Sequence, residues 1–280
     1  MVKLILRKYF LRIIFCFYFI WGQSVEFEIK EYRPFPEDIS SLGLKLTKFN
    51  WSIGNRFLLL DEVKNQLIDI DPSGRLSFPT GMGENSVYGQ FIWMGVAPEG
   101  IRVVDRLENK ILHFDHRLNS NQMIQIEPRL YPELAAISSW GVMYLYSQTY
   151  NTIFSFERSK INLIPFIDIS KERLPSNCFV DMASNEDGDL ALLSCSGTIY
   201  VFSKNGKIKL ASPCELDNPK YIICLKDDWF IFNSDGIVVS MKTGIRYSIP
   251  SSSVPILDVE SMNRSIAVLA QDHILILDVE

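Results

Sequence analysis

Short apolar segments alternate along most of the chain with polar turns rich in Gly, Asn, Asp and Ser. The clearest unit spans residues 178–211, where apolar segments are joined by hairpin turns at residues 185–188 and 204–206. Turns that end in Asp-Gly or Asn-Gly between apolar segments are typical of antiparallel β-hairpins. The pattern therefore predicts an all-β protein built from four-stranded units.

The same unit recurs six times, with a Leu or Ile at an equivalent place in one strand of each copy. These residues are Leu67, Ile111, Ile153, Ile199, Ile237 and Ile274. They lie 44, 42, 46, 38 and 37 residues apart. A repeat of this length made only of strands is typical of β-propeller blades. We therefore predict a six-bladed β-propeller.

The last repeat contains only three predicted strands, at residues 256–261, 265–270 and 273–279. Residues 25–30 alternate apolar and polar side chains, as expected for a half-buried strand. We expect this N-terminal strand to pair with residues 273–279 and complete the last blade, which would close the ring and cover two sheet edges. The alternative is a flexible N-terminal arm.

The first 24 residues have the composition of a secretory signal peptide rather than of a strand. Four basic residues precede an apolar run at residues 13–21, and the small residues Gly22 and Ser24 follow it. We expect residues 1–24 to be removed, leaving residues 25–280 as a single propeller domain that is periplasmic or secreted. The alternative is a signal that stays uncleaved and anchors the protein in a membrane.

Removal of the signal makes the protein more acidic. It leaves 24 basic and 33 acidic residues, a net charge of −9. An acidic surface repels phosphate backbones, which argues against nucleic acid as a partner. No later segment is apolar for the roughly 20 residues that a membrane span needs, so no stable span is expected after cleavage.

Two blades carry the same polar positions around one turn. A strand ends in Asp, a short turn carries Asn, and the next strand ends in Asp; the residues are Asp61, Asn65 and Asp71 in blade 1, and Asp105, Asn109 and Asp115 in blade 2. Together with residues 183–194 of blade 4, these motifs resemble NHL-type six-bladed propeller repeats. The resemblance implies a recognition scaffold more often than an enzyme, and it brings no catalytic residue with it.

Metal and cofactor motifs are not found in the sequence. His113 and His116 are three residues apart on a predicted strand, which places their side chains on opposite faces. No cysteine pair has C-x-x-C spacing, and the glycines of residues 80–90 follow no phosphate-loop pattern. We therefore expect neither a metal site nor a cofactor.

Cys178 and Cys195 lie equally far from the turn at Glu186 and Asp187, one before it and one after. Residues directly opposite on antiparallel strands are about 4.5–5.5 Å apart at Cα, within the disulfide range. A disulfide between them is our expectation for an exported protein. A register slip of one residue would instead leave both as buried free thiols.

The innermost strands decide between an enzyme and a binding protein, because their side chains line the central channel. Those strands are mostly apolar, and their only acidic residues are Asp181, Asp258 and Glu260. A calcium-dependent site needs several converging oxygen ligands, so the channel favours a protein without catalytic activity. The alternative is a propeller hydrolase or lactonase that uses these carboxylates at the mouth of the channel.

Loops between second and third strands, and those between blades, are expected to share one face of the propeller. Tyrosine and arginine, which often anchor interfaces, are concentrated there. The candidate binding residues are Tyr88, Arg106, Asn109, Arg129, Tyr131 and Tyr150. We predict an exported, non-enzymatic and monomeric scaffold that binds a protein or small ligand on this face. The alternative is that the tyrosines only pack against neighbouring blades.

Overall fold

The computed structural model describes residues 25–81, 87–172, 174 and 178–279, so the predicted signal peptide lies outside the described residues. Within them the chain forms six antiparallel sheets, each built mainly from consecutive strands. The predicted all-β, six-bladed β-propeller is confirmed. No helix in these ranges is both long enough and apolar enough to cross a membrane.

The first three blades follow one another directly along the chain. Blade 1 contains β3 (Lys48–Ser52), β4 (Arg56–Asp61), β5 (Gln66–Ile70) and β6 (Leu76–Ser77). Blade 2 contains β7 (Phe91–Ala97), β8 (Gly100–Asp105), β9 (Lys110–Phe114) and β10 (Ser120–Gln125). Blade 3 contains β11 (Leu134–Ile137), β12 (Met143–Ser147), β13 (Thr152–Glu157), β14 (Lys160–Ile161) and β15 (Ile167–Asp168), and its last two strands both pair with β13.

The last three blades include the N-terminal strands. Blade 4 contains β16 (Phe179–Ser184), β17 (Leu190–Ser194), β18 (Thr198–Phe202) and β19 (Ile208–Pro213). Blade 5 contains β20 (Pro219–Leu225), β21 (Asp228–Asn233), β22 (Ile237–Ser240) and β23 (Arg246–Ser248), with β1 (Val25–Glu26) at its edge. Blade 6 contains β24 (Asp258–Met262), β25 (Ser265–Leu269), β26 (His273–Asp278) and, as its outer strand, β2 (Glu28–Pro34).

Short helical turns occupy three of the connections between strands. They are α1 (Glu37–Ser41) before blade 1, α2 (Ile169–Glu172) between blades 3 and 4, and a 3-10 turn (Ser251–Ser253) between blades 5 and 6. The apolar core lies between the blades, where each sheet packs its face against the next. In one such layer, Leu193 and Ile199 of blade 4 share a cluster with Ile222 and Ile231 of blade 5.

The N-terminal segment closes the ring, but it joins two blades rather than one. Strand β2 pairs antiparallel with β26, as expected, and extends to Pro34. The expectation that residues 25 and 26 also pair with the last strand is wrong, because β1 runs parallel to β23 of blade 5. Phe27 explains the change of partner: its side chain is buried and stacks on Tyr247 of blade 5 at 4.6 Å between ring centroids.

Cys178 and Cys195 are joined by a disulfide at the open end of the β16–β17 hairpin, with their Cα atoms 5.4 Å apart. Cys195 also donates its backbone N–H to the carbonyl oxygen of Cys178 at 2.9 Å. Cys214 and Cys224 are half-buried free thiols, and burial raises their pKa values to about 11 and about 12. Neither free thiol therefore has the lowered pKa that marks a reactive cysteine.

Truncation of Phe27 tests the closure of the ring. Phe27→Ala should lower the free energy of unfolding by about 3–5 kcal/mol, because a buried aromatic ring between blades 5 and 6 is lost. The matched control is Ile29→Ala, since Ile29 lies in the same segment with its side chain exposed; we expect a change within about 0.5 kcal/mol. Urea denaturation measures both, and equal effects of the two variants would contradict closure through Phe27.

The disulfide is tested by chemistry and by stability. Peptide mapping of the oxidised protein without reductant should recover a linked peptide that contains Cys178 and Cys195. The bond closes a loop with a sequence separation of 17 residues, so Cys178→Ser/Cys195→Ser should lower stability by about 3 kcal/mol. A reductant should destabilise the wild-type protein and leave this variant unchanged. Quantitative alkylation of both thiols in oxidised protein would contradict the bond.

Candidate binding face and central channel

In each blade, the loop between the second and third strands lies on the same side of the propeller as the connections between blades. We call this side the loop face. In blade 1, the Asn65 side chain donates to the Gly89 carbonyl oxygen at 3.0 Å and accepts the Phe91 N–H at 2.8 Å. Asn65 therefore ties its own turn to the connection that enters blade 2. Its backbone has a φ of 51°, a left-handed conformation that Asn adopts more readily than most residues.

Asn109 does the same for blades 2 and 3. Its side-chain oxygen accepts the N–H groups of Leu130 and Tyr131, both at 2.9 Å, and its φ is 52°. Although the sequence predicts a binding role for Asn109, the residue is buried. Asn109 therefore positions the surface at this junction and does not itself face solvent.

Three other candidates lie at the same junction, in two separate side-chain pairs. The Arg106 guanidinium lies 3.3 Å from a carboxylate oxygen of Glu133, and the other oxygen of Glu133 accepts the Gln148 N–H at 2.7 Å. Arg129 donates to the Tyr131 hydroxyl at 3.3 Å. Arg106 is thus linked through Glu133 to the connection between blades 2 and 3, and Arg129 and Tyr131 of that connection contact each other.

The two remaining tyrosines have different environments. Tyr88 packs edge-on against Phe91, and the Lys110 ammonium lies 4.9 Å from the centre of its ring. The hydroxyl oxygen of Tyr88 is also buried, so packing between blades explains this residue. Tyr150, by contrast, is exposed at the tip of the β12–β13 turn, edge-on to Phe154.

Sequence analysis missed two apolar residues on the same face. Val63, Leu107 and Tyr150 lie in the turns between second and third strands of blades 1, 2 and 3, with exposed fractions of 77%, 57% and 47%. The equivalent turns of blades 4, 5 and 6 present the polar residues Ser196, Asp235 and Asp272. An apolar residue in the middle of a polar turn is the signal that could have identified Val63 and Leu107. We call these three side chains the apolar tips.

The central channel encloses a cavity of 140 Å³ that is more polar than the sequence suggested. Asp181, Asp258 and Glu260 line it, as expected for residues of innermost strands. Lys48, at the start of β3, also lines the cavity and was missed because strand alternation alone did not place it there. Its ammonium lies 3.6 Å from a carboxylate oxygen of Asp258.

Each channel carboxylate bonds to the neighbouring blade. Asp258 of blade 6 accepts the Phe49 N–H of blade 1 at 2.9 Å, and Asp181 of blade 4 accepts the Ile222 N–H of blade 5 at 2.8 Å. Glu260 accepts the side-chain amide of Asn50 at 2.9 Å. These bonds connect innermost strands, which have no backbone ladder between them. The carboxylates therefore hold adjacent blades together.

The channel changes the acidity of these groups. Burial raises the pKa of Asp181 to about 6, against the attraction of Lys48. Burial, and then repulsion by Asp258 and Asp181, raises the pKa of Glu260 well above its usual value. Attraction to Asp258 is the main reason that the pKa of Lys48 is also raised. The arrangement favours a charged Lys48 and a protonated Glu260.

The geometry around these carboxylates does not form a metal site. Across the part of the chain that the structure describes, no group of three or more His, Cys, Asp or Glu side chains is arranged to hold a metal ion. The Nε2 atom of His116 lies 3.2 Å from the carbonyl oxygen of Pro98, and the Nε2 atom of His113 is buried. The contacts of both histidines are therefore explained by the packing around them.

Comparisons with known proteins identify the fold. No family model and no curated protein matches this sequence. Among solved structures, a catalytically inactive virginiamycin B lyase from Staphylococcus aureus with quinupristin superposes with a TM-score of 0.61 at 14% identity, covering 84% of this chain and 80% of that one. The WD40 β-propeller domain of Doa1 gives 0.60 at 15% identity, covering 84% and 79%. YCF48 bound to D1 peptide gives 0.59 at 13% identity, covering 84% and 78%.

Neutralising Glu260 should change how stability depends on pH. A carboxyl whose pKa is higher in the folded than in the unfolded protein stabilises the fold at low pH, and that contribution is lost as pH rises through the folded value. Glu260→Gln keeps the oxygen that accepts from Asn50 and removes the titration. We therefore expect the variant to gain stability relative to wild type as pH rises above about 4.3, the unperturbed pKa of Glu.

Urea denaturation at several pH values measures this difference. The matched control is Glu28→Gln, because Glu28 is exposed on the outer strand β2. The control should follow the pH dependence of the wild type, including the loss that the raised pKa of Asp181, about 6, contributes as pH rises. A Glu260→Gln stability profile parallel to that of the wild type would show that folding does not raise the pKa of Glu260.

Proposed function

We propose that this protein is an exported interaction scaffold of the NHL type, which binds a protein partner on the loop face and performs no chemistry in its central channel. The apolar tips carry this proposal. Exposed single hydrophobic residues are common on protein surfaces, but these occupy the same turn in three successive blades. The repeated placement, and its change to polar residues in blades 4–6, favour a surface shaped for a partner.

The chemistry of the loop face favours a partner segment with apolar side chains. Arg106 is already paired with Glu133, and the turn of Val63 carries both Glu62 and Lys64. Charges of both signs therefore flank the apolar tips, and no single-sign field is available for a strongly charged ligand. Tyr150, Tyr131 and Arg129 add side chains that can both bury area and form hydrogen bonds. YCF48, a structural neighbour bound to a peptide, is an example of the same fold in such a complex.

Export is part of the proposal and rests on residues 1–24 together with the disulfide. A basic start, an apolar run and small residues form a signal for secretion. A bond between Cys178 and Cys195 is compatible with an oxidising compartment, where structural disulfides persist. We propose a mature chain that begins at Val25, is periplasmic or secreted, and is monomeric because β1 and β2 cover edges of blades 5 and 6.

A second candidate function is a hydrolase or lactonase with its site in the channel. The raised pKa values of Asp181 and Glu260 in one cavity favour it, because catalytic carboxylates often have such shifts. A lyase is also among the structural neighbours. We favour the scaffold because bonds to adjacent blades already engage Asp181, Asp258 and Glu260. A turnover that Glu260→Gln abolishes without unfolding the protein would establish the second function instead.

A peptide library displayed on phage tests the binding face. We expect random peptides selected on the wild-type protein to be rich in apolar residues. Val63→Asp/Leu107→Asp should weaken their binding about 10-fold or more, since loss of an interface anchor costs upward of about 1.4 kcal/mol. The matched control is Ile53→Asp/Trp140→Asp, which changes two exposed apolar residues in turns on the opposite face.

Thermal unfolding should show both double variants folded, because all four side chains are exposed. Dissociation constants from fluorescence polarisation then compare the two faces. If the control variant loses binding and the Val63/Leu107 variant keeps it, the binding surface lies on the opposite face. Failure to select any peptide above background would contradict peptide binding by this propeller.

A further inference from the structure

The entrance to blade 6 brings together a serine, a histidine and an aspartate. Ser253 is the last residue of the 3-10 turn that connects blades 5 and 6. Asp272 lies in the turn between the second and third strands of blade 6, and His273 is the first residue of β26. Ser253 and His273 are 20 residues apart in sequence, so only the return of the chain through blade 6 makes them neighbours.

The three side chains form a line of short hydrogen bonds. Ser253 Oγ lies 2.7 Å from His273 Nε2, and His273 Nδ1 lies 2.7 Å from Asp272 Oδ1. A carboxylate can only accept, so Nδ1 carries a proton toward Asp272. In the neutral ring Nε2 is then an acceptor, and the Ser253 hydroxyl donates to it. This is the order of nucleophile, general base and orienting carboxylate found in serine hydrolases.

The imidazole is held firmly in this orientation. The residue is buried, its backbone is paired in the ladder between β2 and β26, and its ring lies 4.5 Å from that of Tyr32. Because β2 comes from the N-terminal segment, closure of the ring also fixes the base. A rigid base with one nitrogen bound to a carboxylate meets the geometric requirement for activating a hydroxyl.

Ser253 also lies in the wall of a cavity of 850 Å³ on the loop face. Phe35, Ile39, Leu44 and Leu257 supply apolar side chains to the same walls. A buried histidine needs two hydrogen-bond partners for structural reasons alone. That need does not explain why its serine partner also borders a cavity of this size. Ser253 is only 1% exposed, so access to its hydroxyl is limited to small groups that press into the wall.

We propose that Ser253, His273 and Asp272 make Ser253 a nucleophile toward carboxylic esters with small apolar acyl groups. The activity is separate from partner binding at the apolar tips and from the channel carboxylates. Ser253 Oγ forms a bond to the acyl carbon while its proton passes to His273 Nε2. The ester C–O bond then breaks, and the leaving alcohol takes that proton. Water hydrolyses the acyl-serine by the same steps, which regenerates the hydroxyl and releases the carboxylic acid.

A fluorophosphonate probe tests the nucleophile directly, because serine oxygen displaces fluoride from phosphorus and remains covalently labelled. We expect slow labelling that peptide mass spectrometry assigns to Ser253. Ser253→Ala should abolish labelling and the hydrolysis of p-nitrophenyl acetate. The matched control is Ser252→Ala, since Ser252 lies in the same turn and borders the same cavity with its residue exposed. Labelling at Ser252, or equal labelling of both variants, would overturn the proposal.

Substitution of Asp272 distinguishes a catalytic relay of Ser253, His273 and Asp272 from a histidine with only a structural role. Its side chain is 79% exposed, so Asp272→Asn should leave the melting temperature unchanged. Loss of the orienting carboxylate should nevertheless slow labelling about 10-fold or more, and Asp272→Glu should recover part of the rate. This positioning residue can be assessed even if His273→Asn fails to fold. An Asp272→Asn protein that is folded and labels at the wild-type rate would show that the relay has no catalytic role.

Discussion

Closure of the ring is the constraint on which the rest of this structure depends. Each blade packs apolar faces against both neighbours, so the sixth blade must meet the first or leave a core layer open to water. Two interactions of different kinds close the ring, one between blades 6 and 1 and one along blades 5 and 6. The Asp258 carboxylate of blade 6 accepts the Phe49 N–H of blade 1 near the axis, and the N-terminal segment pairs along the outside of blades 5 and 6. The inner bond is polar and directional, whereas the outer one combines a ladder with the buried ring of Phe27.

Much of this architecture could be predicted because its signals are local. Turn residues and apolar alternation define each hairpin, and their repetition gives the number of blades. The proximity of Cys178 and Cys195 was predictable from their equal distances to a turn, but equal distance alone does not place them opposite each other. Near the turn Ser184 pairs with Leu190, and a bulge then skips one residue so that Phe179 meets Ser194. Without that bulge the two cysteines would not be opposite each other.

The features that could not be predicted depend on distant partners. Strand β1 pairs with blade 5 rather than blade 6 because Phe27 stacks on Tyr247, more than 200 residues later in the sequence. Lys48 resembles any surface lysine at the start of a strand until blade 6 places Asp258 beside it. The contact between Ser253 and His273 likewise requires a complete blade 6. Val63 and Leu107 differ from these residues, because local sequence alone could have identified them. They are apolar residues within otherwise polar turns.

Polar groups that hold the ring together and side chains that are free to bind occupy different parts of the loop face. Asn65 and Asn109 bind the turns of blades 1 and 2 to the connections that enter blades 2 and 3, so the backbone of these two turns is fixed beneath the surface. Val63 and Leu107 lie two residues before those asparagines, and their exposed side chains do not hold the turns in place. A fixed backbone lowers the entropic cost of binding, because Val63 and Leu107 need little ordering when a partner binds. The asparagines that make the fold rigid thus also prepare its surface for recognition.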